Sequence, residues 1–299
     1  MVSSTTFQKV LVGSLLLAFG GIAQAVVYTE LLTKGGTILG GINGGLYTQM
    51  AQQPTGTGYI DPFVRVGMQG SAGKDVVQAY NTTVNGVLNN SNEDTWNHAV
   101  QFGQLAIVSI GGKGYVRFLL DINQNSGGSF NERLNLDDVQ IFLSTVKNQS
   151  TTQFLVNGGK DGQLALTNSN LVYRMDVPKT TGAGNGLTQD HTVTLDYSLN
   201  SGSGSGDMYL DIPVALFEAQ AGVLPGGLSS LNQGYVYLYS KFGSNPYVNN
   251  DGFEEWAFLS KTNDGGGFSG RIPEPSSLAL AGLGLFAICA SRKRPRKQV

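Results

Sequence analysis

Five stretches of this chain alternate apolar and polar residues with period two, a pattern that suits a half-buried strand and not a helix. Val116, Phe118, Leu120 and Ile122 fall on one side of the first. Met208, Leu210, Ile212, Val214 and Leu216 form the second, with Tyr209, Asp211 and Pro213 opposite. Val193, Leu195 and Tyr197 alternate with Thr192, Thr194 and Asp196, and Tyr235, Tyr237 and Tyr239 with Val236, Leu238 and Ser240. Val139, Ile141 and Leu143 make the fifth. Pro213, which has no N–H for a ladder, predicts an edge strand or a bulge there.

Turn chemistry separates these runs: Gly111-Gly112-Lys113-Gly114, Asn157-Gly158-Gly159, 182–186, 201–206 and 265–267. Many short strands joined by Gly-rich turns predict an all-β domain, an antiparallel β-sandwich or jelly roll. A helical stripe over 75–88 (Val76, Val77, Tyr80, Val84, Val87) is weakened by its Asn, Thr and Gly residues. Gly35 to Gly45 reads as an N-terminal arm. A faint echo relates Leu120-Asp121…Asn125-Ser126 to Leu195-Asp196…Asn200-Ser201, too short for a repeat architecture.

The two ends differ from the body. Lys9 precedes an apolar run from Val10 to Ile22 that closes on Ala23-Gln24-Ala25, a small-x-small site. This is the build of a secretory signal, with cleavage expected after Ala25. At the other end, Pro273-Glu274-Pro275 imposes an extended entry. Ser276 to Ala290 follows without a charge, then Arg292, Lys293, Arg294, Arg296 and Lys297. As a helix those 15 apolar residues reach about 22 Å, short of a hydrocarbon core of about 30 Å. The basic cluster would stay cytoplasmic, so this short transmembrane helix reads as a transient stop-transfer anchor. The expected organisation is a signal peptide (1–25), a β-sandwich ectodomain (26–259), a linker (260–272) and a sorting tail (273–299).

Between Lys9 and Arg292 stand 13 basic and 21 acidic residues, a net charge of −8. Such a body does not attract nucleic acid; it suits solubility and divalent cations. The single cysteine, Cys289, lies in the tail, so the body can hold no disulfide even in an oxidising compartment.

The three-part tail of Pro273-Glu274-Pro275, short apolar helix and Arg-rich end resembles a PEP-CTERM sorting signal. That resemblance implies processing near the motif by an exosortase, and delivery to the surface or extracellular matrix of an exopolysaccharide-producing Gram-negative bacterium. In the body, residues 115–123, 136–142, 237–243 and 252–256 are similar to ectodomains that recur on PEP-CTERM proteins. That likeness implies an extracellular β domain and carries no activity with it.

One loop has metal-ligand spacing. From Asp121, oxygen side chains fall at positions 1, 3, 5, 9 and 12: Asp121, Asn123, Asn125, Ser129 and Glu132. Alternate residues of a tight loop point to one centre, and a closing glutamate can bind with both oxygens, as in EF-hand-type Ca2+ loops. Asp121, Asn123, Asn125 and Glu132 are therefore the candidate calcium ligands. Ser126 stands where that pattern has Gly, two positions are neutral Asn, and strands flank the loop. A polar hairpin with local backbone bonds is the competing reading.

A second acidic group comprises Asp207, Asp211, Asp251, Glu254 and Glu255. With Trp256 and the tyrosines of 235–239 it fits a sugar site, a glycosidase carboxylate pair, or acidic edge residues beside tyrosines that pack a sheet face. His98 and His191 stand alone, without zinc spacing. No G-x-S-x-G, P-loop or dinucleotide fingerprint occurs, and the sequons at Asn81, Asn89 and Asn148 read as exposed polar turns. The leading expectation is a non-catalytic structural or adhesive protein of the cell surface or matrix, with no cofactor beyond Ca2+. Its partners would be an exosortase and exopolysaccharide, with membrane contact through the tail before processing. The alternatives are a carbohydrate-binding module, calcium-assisted or not, and an extracellular glycan-active enzyme.

Overall fold

A computed structural model describes residues 26–51, 62–67, 76–90, 95–127, 130–155, 162–178, 187–202 and 204–261. In chain order the strands begin with β1 (Val26–Leu31), β2 (Leu46–Gln49), β3 (Val64–Val66), β4 (Val77–Tyr80), β5 (Val100–Gln101), β6 (Ile107–Ile110) and β7 (Lys113–Asp121). They continue with β8 (Arg133–Ser144), β9 (Ser169–Arg174), β10 (Val177–Pro178), β11 (Leu187–Asp196), β12 (Met208–Pro213), β13 (Tyr235–Phe242) and β14 (Glu254–Phe258). A two-turn helix, α1 (Val214–Gln220), follows β12.

These strands form two sheets. The first runs β1-β11-β8-β13-β4, with β10 beside β11, β9 beside β8 and β5 beside β13. The second runs β2-β12-β7-β14-β3, with β6 beside β7. Their inner faces meet in one core, where Val139, Ile141, Val193, Val236 and Leu238 of the first sheet join Val116, Phe118, Leu120, Leu210, Ile212 and Trp256 of the second. The protein is thus mostly β and sandwich-like, as the alternation predicts. One pairing departs from the antiparallel expectation: β1 lies parallel to β11. Residues 32–186 separate β1 from β11, ample chain for the long connection that a parallel pair requires.

The outer faces are also covered. Tyr80, Val87, Phe142, Leu164, Tyr237 and Tyr239 cluster on the first sheet, and Met50, Leu119 and Ala257 on the second. β8 consequently buries eleven of its twelve residues. Along it the inward residues change phase, from Leu134 and Leu136 to Val139, Ile141 and Leu143. The β13 register explains this: Lys241 pairs with Asp138 but Phe242 with Leu136, so Asp137 is the extra residue of a bulge.

Several local expectations are corrected. β12 is a central strand, not an edge, and Pro213 is its last residue. The missing N–H ends the ladder there, and Val214 and Leu216 enter α1 instead of extending the alternation. Within the 75–88 stripe, Val77–Tyr80 is strand β4, because pairing with β13 overrides a weak helical pattern. The Gly-rich 35–45 segment is not an arm: Ile38 N–H donates to Tyr47 O (3.0 Å), and Ile42 is buried in the core. Asn81 is fully buried rather than an exposed turn residue. No helix of the described residues is long and apolar enough to cross a membrane. Ala23, Ala25, Pro273, Glu274, Pro275, Arg292, Lys293, Arg294, Arg296 and Lys297 lie outside the described residues, as does the linker beyond Lys261.

Candidate functional site

Register brings acidic residues together at one end of the second sheet. Asp121 closes β7 and is the cross-strand partner of Glu255 on β14, which in turn faces Arg65 on β3. Asp207 precedes β12, and its N–H donates to Leu120 O (2.7 Å), which seats it on the other flank of β7. Side chains one step apart across a sheet share a face. Asp207, Asp121, Glu255 and Arg65 therefore form a row on four adjacent strands. Glu254, the next residue along β14, points to the opposite face. All four carboxylates are buried, at 0 to 7% exposure.

Residues 197–202 and 204–206 cover this row. Gly204 N–H donates to Asp121 Oδ2 (2.7 Å), and Asn200 Nδ2 donates to Met50 O (3.1 Å) and Gly206 O (3.0 Å). A Cβ on Gly206 would overlap Leu119 Cδ1 and lie 2.7 Å from Met50 Sδ, so only glycine lets this loop close onto the sheet. Ile122 N–H donates to Asp207 Oδ2 (2.8 Å). Glu254 is saturated: Oε2 accepts Asn123 N–H (2.9 Å), and Oε1 accepts Asn249 Nδ2 (2.6 Å) and Gln124 Nε2 (3.3 Å). Glu255 Oε1 receives Arg65 Nε at 2.6 Å, and the guanidinium lies over Trp96, 4.1 Å from the ring centre, and near Phe253 at 4.9 Å.

Burial raises every acid of the group. It pushes Asp121 to about 8, assisted by the charge of Glu255. It lifts Asp207 and Glu254 well above the ordinary carboxylate range, with Asp121 adding to both. Glu255 is raised by burial and held back by Arg65. Two like charges about 5 Å apart repel by roughly 3 kcal/mol at an effective dielectric near 20. The row therefore has to hold a proton or a counter-ion. Asp121 Oδ1, Asp207 Oδ1 and Gln124 Oε1 are buried with no hydrogen-bond partner.

The four candidate calcium ligands take different places. Asp121 is fully buried in the row, Asn123 and Glu132 are half-buried, and Asn125 is exposed. Asn123 Nδ2 donates to Phe253 O (2.9 Å), and Asn125 Nδ2 to Asn250 O (2.9 Å), so both amides tie the loop to 249–253. The Glu132 carbonyl accepts Tyr197 N–H (2.8 Å). Among the described residues no three Asp, Glu, His or Cys side chains by themselves gather to hold a metal ion.

The second acidic group divides. Asp207, Glu254 and Glu255 join Asp121. Asp211 pairs through both oxygens with Arg117 (2.7 and 2.9 Å), its cross-strand partner on β7. Asp251 is exposed and accepts Gly252 N–H (2.9 Å). The expected acidic edge is thus largely interior. Trp256, Tyr237 and Tyr239 are fully buried and offer no ring to a sugar; their polar ends meet Ser240 Oγ, the Val146 carbonyl and Gln78 Oε1.

A further set of acids braces the β8 bulge. Asp137 accepts the Ser244 N–H (2.8 Å) and its hydroxyl, and burial raises its carboxyl to about 6. Asp138 Oδ2 accepts Gln140 Nε2 (2.6 Å) and lies 3.7 Å from Arg174 Nη2. Asp176 Oδ1 accepts His191 N–H (2.8 Å), and burial, then the Asp138 charge, raises Asp176 to about 9. Burial lowers both His98 and His191. The sequence grouped Asp207, Glu254 and Glu255 but not Asp121 with them, nor the acids of the bulge, because those meetings come from cross-strand register; the Leu-Asp-Asp-Val phase change at 136–139 is the signal for the bulge.

The fold defines a two-sheet, sandwich-like β protein with buried acidic groups at one end of the second sheet and at the β8 bulge of the first. Residues 271–294 match the PEP-CTERM protein-sorting motif, which implies export and processing by an exosortase. Neither curated proteins nor solved structures give a match.

Proposed function

We propose that this protein is a non-catalytic structural or adhesive component of the bacterial surface or extracellular matrix, released from its tail by an exosortase and associated with exopolysaccharide. The sorting motif over 271–294 carries this reading. The body supports it: the acids singled out as candidate catalysts are buried, in an ion pair or, for Asp251, at an exposed turn. We read the sandwich as of jelly-roll type, because β7, β8, β12, β13 and β14 cross repeatedly between the two sheets. The test is mass spectrometry of the protein in surface and matrix fractions. The expected form starts after Ala25 and ends near Pro273–Pro275. A Glu274→Ala chain should stay full-length at its C-terminus in the inner membrane. Finding the untrimmed chain in the cytosol would overturn the reading.

One observation favours carbohydrate binding as a second reading. Phe130 is 62% exposed, its ring centre lies 6.0 Å from that of Tyr247 at 31°, and the Arg133 guanidinium sits by both rings (5.8 and 5.4 Å). An exposed aromatic face beside a fixed hydrogen-bond donor suits a pyranose. A glycan array of wild type and Phe130→Ala decides it: sugar binding lost in the variant supports this reading, and an array without binding removes it.

A further inference from the structure

Four arginines lie among the described residues: Arg65, Arg117, Arg133 and Arg174. Three of them meet a carboxylate: Arg65 reaches Glu255 at 2.6 Å, Arg117 reaches Asp211 at 2.7 Å, and Arg174 lies 3.7 Å from Asp138. Arg133 is the exception, and makes no ion pair among the described residues. Asp196 is its cross-strand partner on β11, yet Asp196 Oδ1 is turned to the N–H and the hydroxyl of Ser198 (2.9 and 2.5 Å). In a body with an excess of acids, a cation without an acid is set apart.

The surroundings position this guanidinium without neutralising it. Arg133 N–H donates to Phe130 O (3.3 Å), so one turn carries the cation and the exposed ring. Asn250 Nδ2 donates to Asn131 O (2.7 Å) and braces that turn. Asn135 N–H on β8 donates to Tyr247 O (3.0 Å), and Arg133 Nη1 donates to Tyr247 Oη (3.0 Å). The guanidinium therefore stays beside both rings. It has five N–H donors in a fixed fork, of which one serves Tyr247. Nε and Nη2 have no partner among the described residues and are not buried, so they open to solvent.

A bare cation would accept any anion, but its neighbour narrows the choice. Phe130 offers an apolar face that a phosphate or an acidic side chain leaves uncovered. An anionic membrane is held by clusters of Lys and Arg, not by one arginine. A hexuronate has both complements on one pyranose: a C–H face for the aromatic ring and a carboxylate at the ring edge. Phe130 and the guanidinium, 5.8 Å apart, are close enough for one sugar to touch both. A carboxylate matches the guanidinium fork with two parallel bonds, the strong form of this contact.

We propose that Phe130 and Arg133 bind a uronic acid residue of an acidic polysaccharide, its ring stacked on Phe130 and its carboxylate in the Arg133 fork. The inference rests on the carbohydrate reading above and names the substrate class of that same site.

The test is isothermal calorimetry of the purified full chain at low salt. The probes are oligosaccharides of galacturonate, glucuronate, mannuronate and guluronate, each beside its carboxyl-reduced, neutral counterpart. At least one acid should bind about tenfold or more tightly than its counterpart. Arg133→Gln should erase that preference and leave acid and neutral forms equal. Arg133→Lys keeps the charge without the fork, should keep only part of the preference, and serves if the Gln variant fails to fold. Phe130→Ala should weaken both forms alike. Neutral counterparts bound as tightly as the acids, or an acid preference undiminished in Arg133→Gln or Arg133→Lys, would overturn this inference and leave the carbohydrate reading standing. No binding of any acid or neutral oligosaccharide would remove both.

Discussion

Gly206→Ala isolates the seating of the 204–206 segment on the second sheet. The added methyl would overlap Leu119 Cδ1 and lie 2.9 Å from Leu119 Cδ2 and 2.7 Å from Met50 Sδ. Leu119 and Met50 are buried, at 0 and 1% exposure, so neither swings into solvent. Overpacking of this kind costs about 1–3 kcal/mol. Lowered unfolded-state entropy offsets about 0.4–1 kcal/mol, which leaves a net loss of roughly 1–2 kcal/mol. Leu119→Ala should cost about 2–5 kcal/mol on its own through the cavity it opens. Its missing methyls vacate the volume that an alanine at 206 needs, so the double variant should be more stable than the sum of the two losses by about 1 kcal/mol or more. Urea titration at constant pH measures all four corners of the cycle, read as midpoint changes at unchanged slope. Additivity within about 0.5 kcal/mol, or a stabilised Gly206→Ala chain, would refute the close approach of loop and sheet.

Other outcomes follow from the same interior. Asp121 and Asp176, raised by burial to about 8 and about 9, retain protons that the unfolded chain releases near pH 3.9. Their contribution to stability is full below about pH 4 and is lost as pH rises through 8 and 9; in EDTA the urea midpoint should fall from pH 5 to 9, and a steady climb would contradict the burial of these acids. Arg117→Ala leaves Asp211, 2% exposed, without its bidentate partner. Because the Arg117 side chain is 26% exposed, the expected cost is about 2 kcal/mol rather than the 3–5 of a deeply buried pair, and Asp211→Asn in the same chain should recover part of it in calorimetric melts. Asn81 bridges backbone groups through Val236 O (2.9 Å), His98 O (3.2 Å) and Leu238 N–H (2.7 Å). Asn81→Ala should cost about 3 kcal/mol, about 6–12 °C in melting temperature at this size; a drop under 2 °C would count against these bonds.

The amino-acid order by itself determined which residues of the alternating strands face the core and where the sorting motif of the tail lies. Period-two alternation is local, so it survives into β7, β11, β12 and β13 without knowledge of their neighbours. Sorting signals are likewise read along the chain, and the tail motif needs no fold around it. Side-chain partnership is different, because it depends on register between strands far apart in sequence. The echoed Leu120-Asp121 and Leu195-Asp196 make the point. Asp196 stays at the surface and takes Ser198 N–H (2.9 Å) in a local turn, whereas Asp121 is buried beside Asp207 and Glu255 because β7 lies between β12 and β14. The same dipeptide ends two strands, one flanked by a turn and the other by two more acids. Only tertiary pairing distinguished them, since desolvation and charge proximity arise from neighbours that no local pattern encodes.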